Sequence, residues 1–372
     1  MNANAHWLDE RRAEAANRFA ARGLPHRRVE DWKYSDLKSA PIGEIEKAGS
    51  ARFTPDTLPT AIVDRYDFES NKPAPDWVRQ HLTTASVMSA AALAFSETGQ
   101  AFRVSGEANE PMRLDFHTSG HTRVLVVLED GARLTLIEKL EHSAGLHNIG
   151  VDLVLGVGAE LTHIRIAEAA PDAVQVEEYA VRVERDGLYR AHLFNGGAKL
   201  SRAEFQIKLA GANARAQLSG VSVLGDGAHA DVTTHITHAV GHTESTQLFK
   251  FVAGGKSRGV YQGRITVEQG ADKSDSRQTA KALLMGERAE ADLKPELEIF
   301  ADDVKCAHGA AVGDLDAASL FYLRARGIPE AEARNMLVRA FLEEAVDEIA
   351  DETLRETVWA SVETALPKAM TP

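Results

Sequence analysis

Residues 216–240 read AQLSGVSVLGDGAHADVTTHITHAV. Two segments rich in Val, Ser and Thr flank a turn at Gly227-Ala228, and in both of them apolar residues alternate with polar ones, the pattern of half-buried strands. The same unit, a turn followed by such a strand, returns from about residue 101 to residue 305 as RLTLIE, VDLVLGVG, AEFQIKLAG and GRITVEQG, with turns at Gly131-Ala132, Gly158-Ala159, Gly211-Ala212 and Gly270-Ala271. The intervals between turns are irregular, so no strict repeat exists. A recurring turn-and-strand unit fits a solenoid or a large sandwich, because each coil buries its apolar side only by stacking on its neighbours. Periodicity alone does not choose between the two.

Composition sets the bounds around this β region. The chain has 372 residues, 44% of them apolar, which is ample for a large core. No run approaches the eighteen consecutive apolar residues of a membrane span. Net charge is −13 and no basic arm interleaves with aromatics, so neither membrane nor nucleic acid is an expected partner. The single cysteine excludes an internal disulfide. The opening MNANAHWLDERRAEAANRF puts acids and arginines where an export signal would be apolar, so a cytoplasmic location is expected.

Both ends read as helical. From residue 6 to about residue 22, Trp7, Leu8, Ala15 and Phe19 fall on one side of a helix, which Gly23 and Pro25 end. In the following GLPHRRVEDWKYSDLKSAPI, Trp32 and Tyr34 are expected to anchor a surface segment to the body. Helices are also expected around PDWVRQHL and SVMSAAALAFSETG. After residue 313, LDAASLFYLRARG stops at Gly327, and a second helix carries Leu337, Phe341 and Ala345 at every fourth position. A last helix carries Leu354, Val358, Val362 and Leu366, with Trp359 beside them. The chain therefore divides into a mostly helical region 1–100, a β core 101–312 and a helical unit 313–372.

Two groups of residues could carry chemistry. In DDVKCAHGAAVGDLD, residues 302–316, Cys306 stands two positions before His308, and on a strand both would share one face. They could be a nucleophile and its base, half of a metal site, or a small buried hydrophobe beside a turn residue. No third orienting group and no oxyanion donors can be named. The second group is His229, His235, His238 and His242; strand alternation puts the first two on one face and the last two on the other, which favours ordinary sheet histidines over a metal site and leaves their role open. No phosphate-binding Gly-x-x-x-x-Gly-Lys-Ser/Thr loop is present, so ATP would be handled by another chain.

Taken together, His238, YQGRITVEQGADKSDSRQTAKALLM at 261–285, PELEIFADDVKCAHGAAVGDLD at 295–316, LFYLRARGIPEAEA at 320–333 and the early GLPHRRVEDWKYSDL resemble the SufB/SufD family of iron–sulfur cluster assembly proteins. The short chain and the Cys-Ala-His-Gly motif, where SufB proteins carry an acid after the histidine, make it most like SufD. The resemblance implies a mainly β fold, a right-handed parallel β-helix flanked by helical N- and C-terminal regions, and so a solenoid. It implies a non-catalytic scaffold that pairs with a SufB-like protein and docks a SufC-like ATPase through its C-terminal region, with Leu354, Val358, Trp359 and Val362 forming that region or supporting it. Cys306 and His308 would then border a transient cluster at the interface with SufB, able to hold metal only with ligands from the partner, since a cluster normally takes four. The isolated chain would bind no cofactor, and a homodimer of it stays open. The alternatives are a structural dimerisation protein and a cysteine-dependent enzyme using Cys306 and His308.

Overall fold

A computed structural model describes residues 5–70, 72–84, 86–142 and 144–370; the first four residues of the stretch read for an export signal lie outside it. The protein is mainly β, 44% strand and 22% helix, and the strands stack into a parallel solenoid of about 8 turns. Among the described residues the strands from Phe53 to Gly313 form two nine-stranded sheets; from Gly99 on they alternate between them, so each coil gives one strand to each sheet. Pairing is parallel except at the start of each sheet, where Phe53–Thr57 meets Met112–Phe116 and Ile62–Asp67 meets Gly99–Val104 antiparallel. The strands therefore begin well inside the stretch expected to be mostly helical.

The coil length explains why the sequence shows no strict repeat. Partners within one sheet are 26 residues apart where Val174 faces Leu200 and 32 apart where Arg258 faces Glu290. Glycine sets the turns in two ways. Gly227 has φ +73°, a left-handed conformation that side chains resist, whereas a Cβ on Gly211 would lie 2.1 Å from the backbone of Arg185.

Alternation feeds two cores at once. In the strand Arg215–Leu224, Ala216 and Leu218 enter the lumen between the sheets, while Val221 and Val223 point outward beneath the C-terminal helices. Three helices lie on the N-terminal side, α1 (Ala5–Arg22), α2 (Asp76–His81) and α3 (Val87–Ala94); three follow the solenoid, α4 (Ala317–Ala325), α5 (Glu330–Val346) and α6 (Glu352–Ala369). The aromatic anchor forms as expected: Trp32 is buried with the Arg202 guanidinium 4.2 Å above its ring, and the Ser35 hydroxyl donates to Asp231.

On α5 the buried line is Val338, Leu342 and Ala345, with Phe341 at its margin, one position round from the stripe read in the sequence. On α6, Leu354, Val358 and Val362 are buried against the outer face of the sheet, with Ile164, Phe194 and Val223 in the same cluster. Each such residue contributes about 1.5–3 kcal/mol by leaving water. These three therefore support the helical unit from within and present no free surface, while Trp359 is half-buried with Arg339 over its ring at 4.8 Å.

Candidate functional site: the open last coil

The final coil consists of the strands Glu290–Ile299 and Lys305–Gly313. Each pairs with a neighbour on one side, Arg258–Val267 and Asp275–Leu284 respectively, and ends its sheet. In register, Cys306 faces Ser276, His308 faces Gln278, Ala310 faces Ala280 and Val312 faces Ala282. Those four partners are buried in the lumen. Cys306, His308, Ala310 and Val312 thus occupy the lumen column of the next rung, yet no further coil lies over them: Cys306 is half-buried and the other three are exposed. On the opposite strand Leu293 and Leu297, in register with the buried Tyr261 and Ile265, are also only half-buried. Beyond them Phe300 is 64% exposed, and α4 buries none of its residues, leaving Phe321 74% exposed.

The structure places Cys306 and His308 on one face of one edge strand. Cys306 packs at the margin of a small cluster containing Ile265, Val267 and Leu297. Burial, then the nearby Asp275 carboxylate, push its thiol above the ordinary range. The direction is opposite to that of an activated nucleophile. Among the described residues no hydrogen bond orients the His308 ring.

Directly beneath this rung lies a set of buried polar side chains, of which His238, Tyr261, Ser276 and Gln278 lie within the segments that carry the family resemblance. Tyr261 donates to Gln247 and to Gln278, at 3.1 Å each, and Gln278 Nε2 donates to the Glu296 carbonyl at 3.2 Å. Ser276 and Ser245 share a hydrogen bond of 2.7 Å, and Ser245 lies 2.9 Å from His238 Nε2. His238 is completed by Thr243, 2.7 Å from Nδ1, and burial depresses its pKa to about 4, so the ring is neutral. The signal available in the sequence is Ser276 and Gln278 at alternate positions of SDSRQTAKA, polar residues on the face that Ala280 and Ala282 continue.

Of the four histidines of the second group, three separate as alternation requires, while His242 lies beyond the end of the strand. His229 and His235 lie on the outer face of the strand His229–His238, His238 lies in the lumen, and His242 sits in the following turn with φ +60°. Among the described residues no group of three His, Cys, Asp or Glu side chains is arranged to hold a metal ion. Among the described residues no helix is long and apolar enough to cross a membrane.

Comparison with known proteins agrees with this architecture. Residues 112–341 match the SufBD core domain of the SUF system for FeS cluster assembly, and residues 1–41 match the SufBD N-terminal region. The chain is 31% identical to the iron–sulfur cluster assembly protein SufD of Escherichia coli, over 93% of this chain and 90% of that protein. It is 27% identical to a SufBD family protein of Synechocystis, over 92% of this chain and 87% of that one, and 29% identical to one of Mycobacterium bovis, over 91% and 89%. A parallel solenoid with an uncapped last coil, matched by the core model across most of its length and by a SufD protein almost end to end, makes this chain a member of the SufBD family of iron–sulfur cluster assembly proteins.

Proposed function

We propose that the chain is a SufD-like scaffold, non-catalytic in itself, that completes a nascent cluster site together with a SufB-like protein while its C-terminal helices dock a SufC-like ATPase. The observation that carries this reading is the uncovered last coil: Cys306 and His308 occupy core positions of a rung that has no neighbour, beside two unpaired strand edges. Exposed edges are templates for another chain. A partner strand laid there would cover Leu293, Leu297, Ala310 and Val312 and enclose the thiol and the imidazole. Two ligands fall short of the four a cluster takes, so the partner supplies the rest and the cluster is cargo that passes on. A raised thiol with no orienting base argues against an enzymatic nucleophile; as a ligand it would have to give up its proton on meeting the metal.

For the ATPase, the buried stripe of α6 holds the helical unit on the solenoid, and the docking face is its exposed side, around Met336 on α5 and Phe321 and Tyr322 on α4. The cytoplasm suits a chain with one unpaired thiol.

The test is reconstitution with SufB-like and SufC-like proteins. His308→Ala should leave folding and complex formation unchanged and cut cluster formation by tenfold or more; Cys306→Ser should have a smaller effect. The chain alone should be colourless and free of stoichiometric iron. A His308→Ala complex that builds clusters at the normal rate would reduce the last coil to a structural pairing surface.

A further inference from the structure

A groove of about 560 Å³ crosses the outer face of the sheet that ends in Glu290–Ile299, on the side of its strands away from the lumen. The end of α2, with His81 and then Thr83, forms one wall, and Asp31 of the anchored N-terminal segment forms the other. Two columns of side chains make the floor. In one, Ala180 is followed rung by rung by Gln206, His235 and Arg264; in the other, Val154 is followed by Arg182, Lys208 and Thr237. Successive rungs are about 4.8 Å apart.

Most charges here are already committed. Asp152 is held by Arg123 and Thr83. Arg182 pairs with Glu184 at 2.6 Å, and Arg264 is shared among Asp31, Glu296 and Glu298 at 3.5–3.8 Å. Lys208 has no carboxylate within pairing distance among the described residues, and it is exposed. His235 is half-buried, and burial lowers its pKa; Arg264 donates toward Nδ1 at 3.5 Å, which places the ring proton on Nε2. That Nε2 is shielded from solvent and has no hydrogen-bond partner, Asp31 standing 3.9 Å away. The floor therefore holds a bare methyl group at Ala180, with a free ammonium at Lys208 and an unmatched imidazole N–H at His235 beside it.

We propose that this groove binds a small organic phosphate, with its apolar body over Ala180 and its phosphate between Lys208 and His235. The volume suits such a ligand, and unmatched donors beside the apolar side chains of Ala180 and Val154 are what fixes one in place. This site is independent of the cluster-assembly reading.

The probe is 1-naphthyl phosphate, followed by ligand-observed NMR and calorimetry on the full chain, with inorganic phosphate and 1-naphthol as half-ligands. Naphthyl phosphate should bind saturably and at least tenfold more tightly than either half. Lys208→Gln should weaken it about tenfold, by loss of one charge-assisted contact. Ala180→Leu should abolish binding by filling the floor; both positions lie on the outer face, so circular dichroism and Tm should stay at wild-type values. Absence of saturable binding, or equal affinity in the Ala180→Leu chain, would overturn the proposal, and binding as tight for naphthol alone would overturn the phosphate assignment.

Discussion

The middle coils and the last coil are built from the same strand pattern and reach opposite outcomes. In the middle, inward side chains are sealed between two sheets so thoroughly that titratable groups are buried to 0–1% exposure: Arg165 pairs with Glu177, and Glu138 accepts from Tyr179 at 2.6 Å and lies 3.0 Å from His163. Tyr179 stacks on Phe205 at 4.4 Å beside them. In the last coil the equivalent columns hold Cys306, His308, Leu293 and Leu297, and these are half-buried or exposed. A residue in a solenoid is core or interface according to whether another coil follows it. The first coil shows the closed alternative, since Phe53 and Ala61 fold into the lumen core there.

If that contrast is right, substitutions at matching columns should differ sharply, and the largest effect belongs to the sealed middle. Arg165→Met strands Glu177 in the lumen and should destabilise the chain by about 3–5 kcal/mol in urea unfolding; replacing both Arg165 and Glu177 with apolar residues should recover most of that loss. A cost below about 1 kcal/mol for the single change would mean that the lumen is wet.

Acid should find the next weakness. Burial holds His192, His229 and His238 at about 4, below the ordinary imidazole value of 6.5. Above pH 6.5 both folded and unfolded chains carry these rings neutral, and they contribute nothing. Between 6.5 and 4 the unfolded chain takes up protons that the folded chain refuses, so stability falls as the pH drops through that window, by roughly 2–3 kcal/mol per ring at its lower end. Unfolding followed at pH 7 and pH 5 should show His238→Asn losing much less stability on acidification than the parent, whatever its cost at pH 7. An unchanged slope would show that the ring is not the buried neutral group described.

Effects should fade at the open end. Leu297→Asp, in a half-buried position, should cost about 1 kcal/mol or less in the free chain while preventing partner pairing. His308→Ala should alter stability by less than about 0.5 kcal/mol, since the ring is already in water. A His308→Ala chain that unfolds several degrees early would place the ring in a packed environment and erase the contrast between the two regions.

Much of this architecture is legible in the amino-acid sequence itself. Alternation identifies the strands because both sheets bury one column in the lumen, and the breaks at Gly23 and Gly327 mark helix ends that α1 and α4 respect. The early strands Phe53–Thr57 and Ile62–Asp67 escape because each is short and pairs antiparallel with a distant strand. The α5 stripe is misplaced by one residue because its buried line is set by the sheet it packs on. At the candidate site, Cys306 and His308 are visible as residue types, but their exposure is not, since it depends on the coil that is missing above them. Ser276, Gln278 and Tyr261 beneath them lie within the stretch that carries the resemblance, but their grouping is not legible there, since it is set by strand register across about thirty residues of chain.

Hydrogen exchange on the free chain and on its complex with a SufB-like partner tests the central claim most directly. The alternate amides of Glu290–Ile299 and Lys305–Gly313 that face away from their one neighbouring strand should exchange fast in the free chain and become at least tenfold protected in the complex, while amides of the middle coils, already paired on both sides, should not change. Protection that appears elsewhere, with these two edges left as open as before, would contradict a last coil built to be completed by another chain.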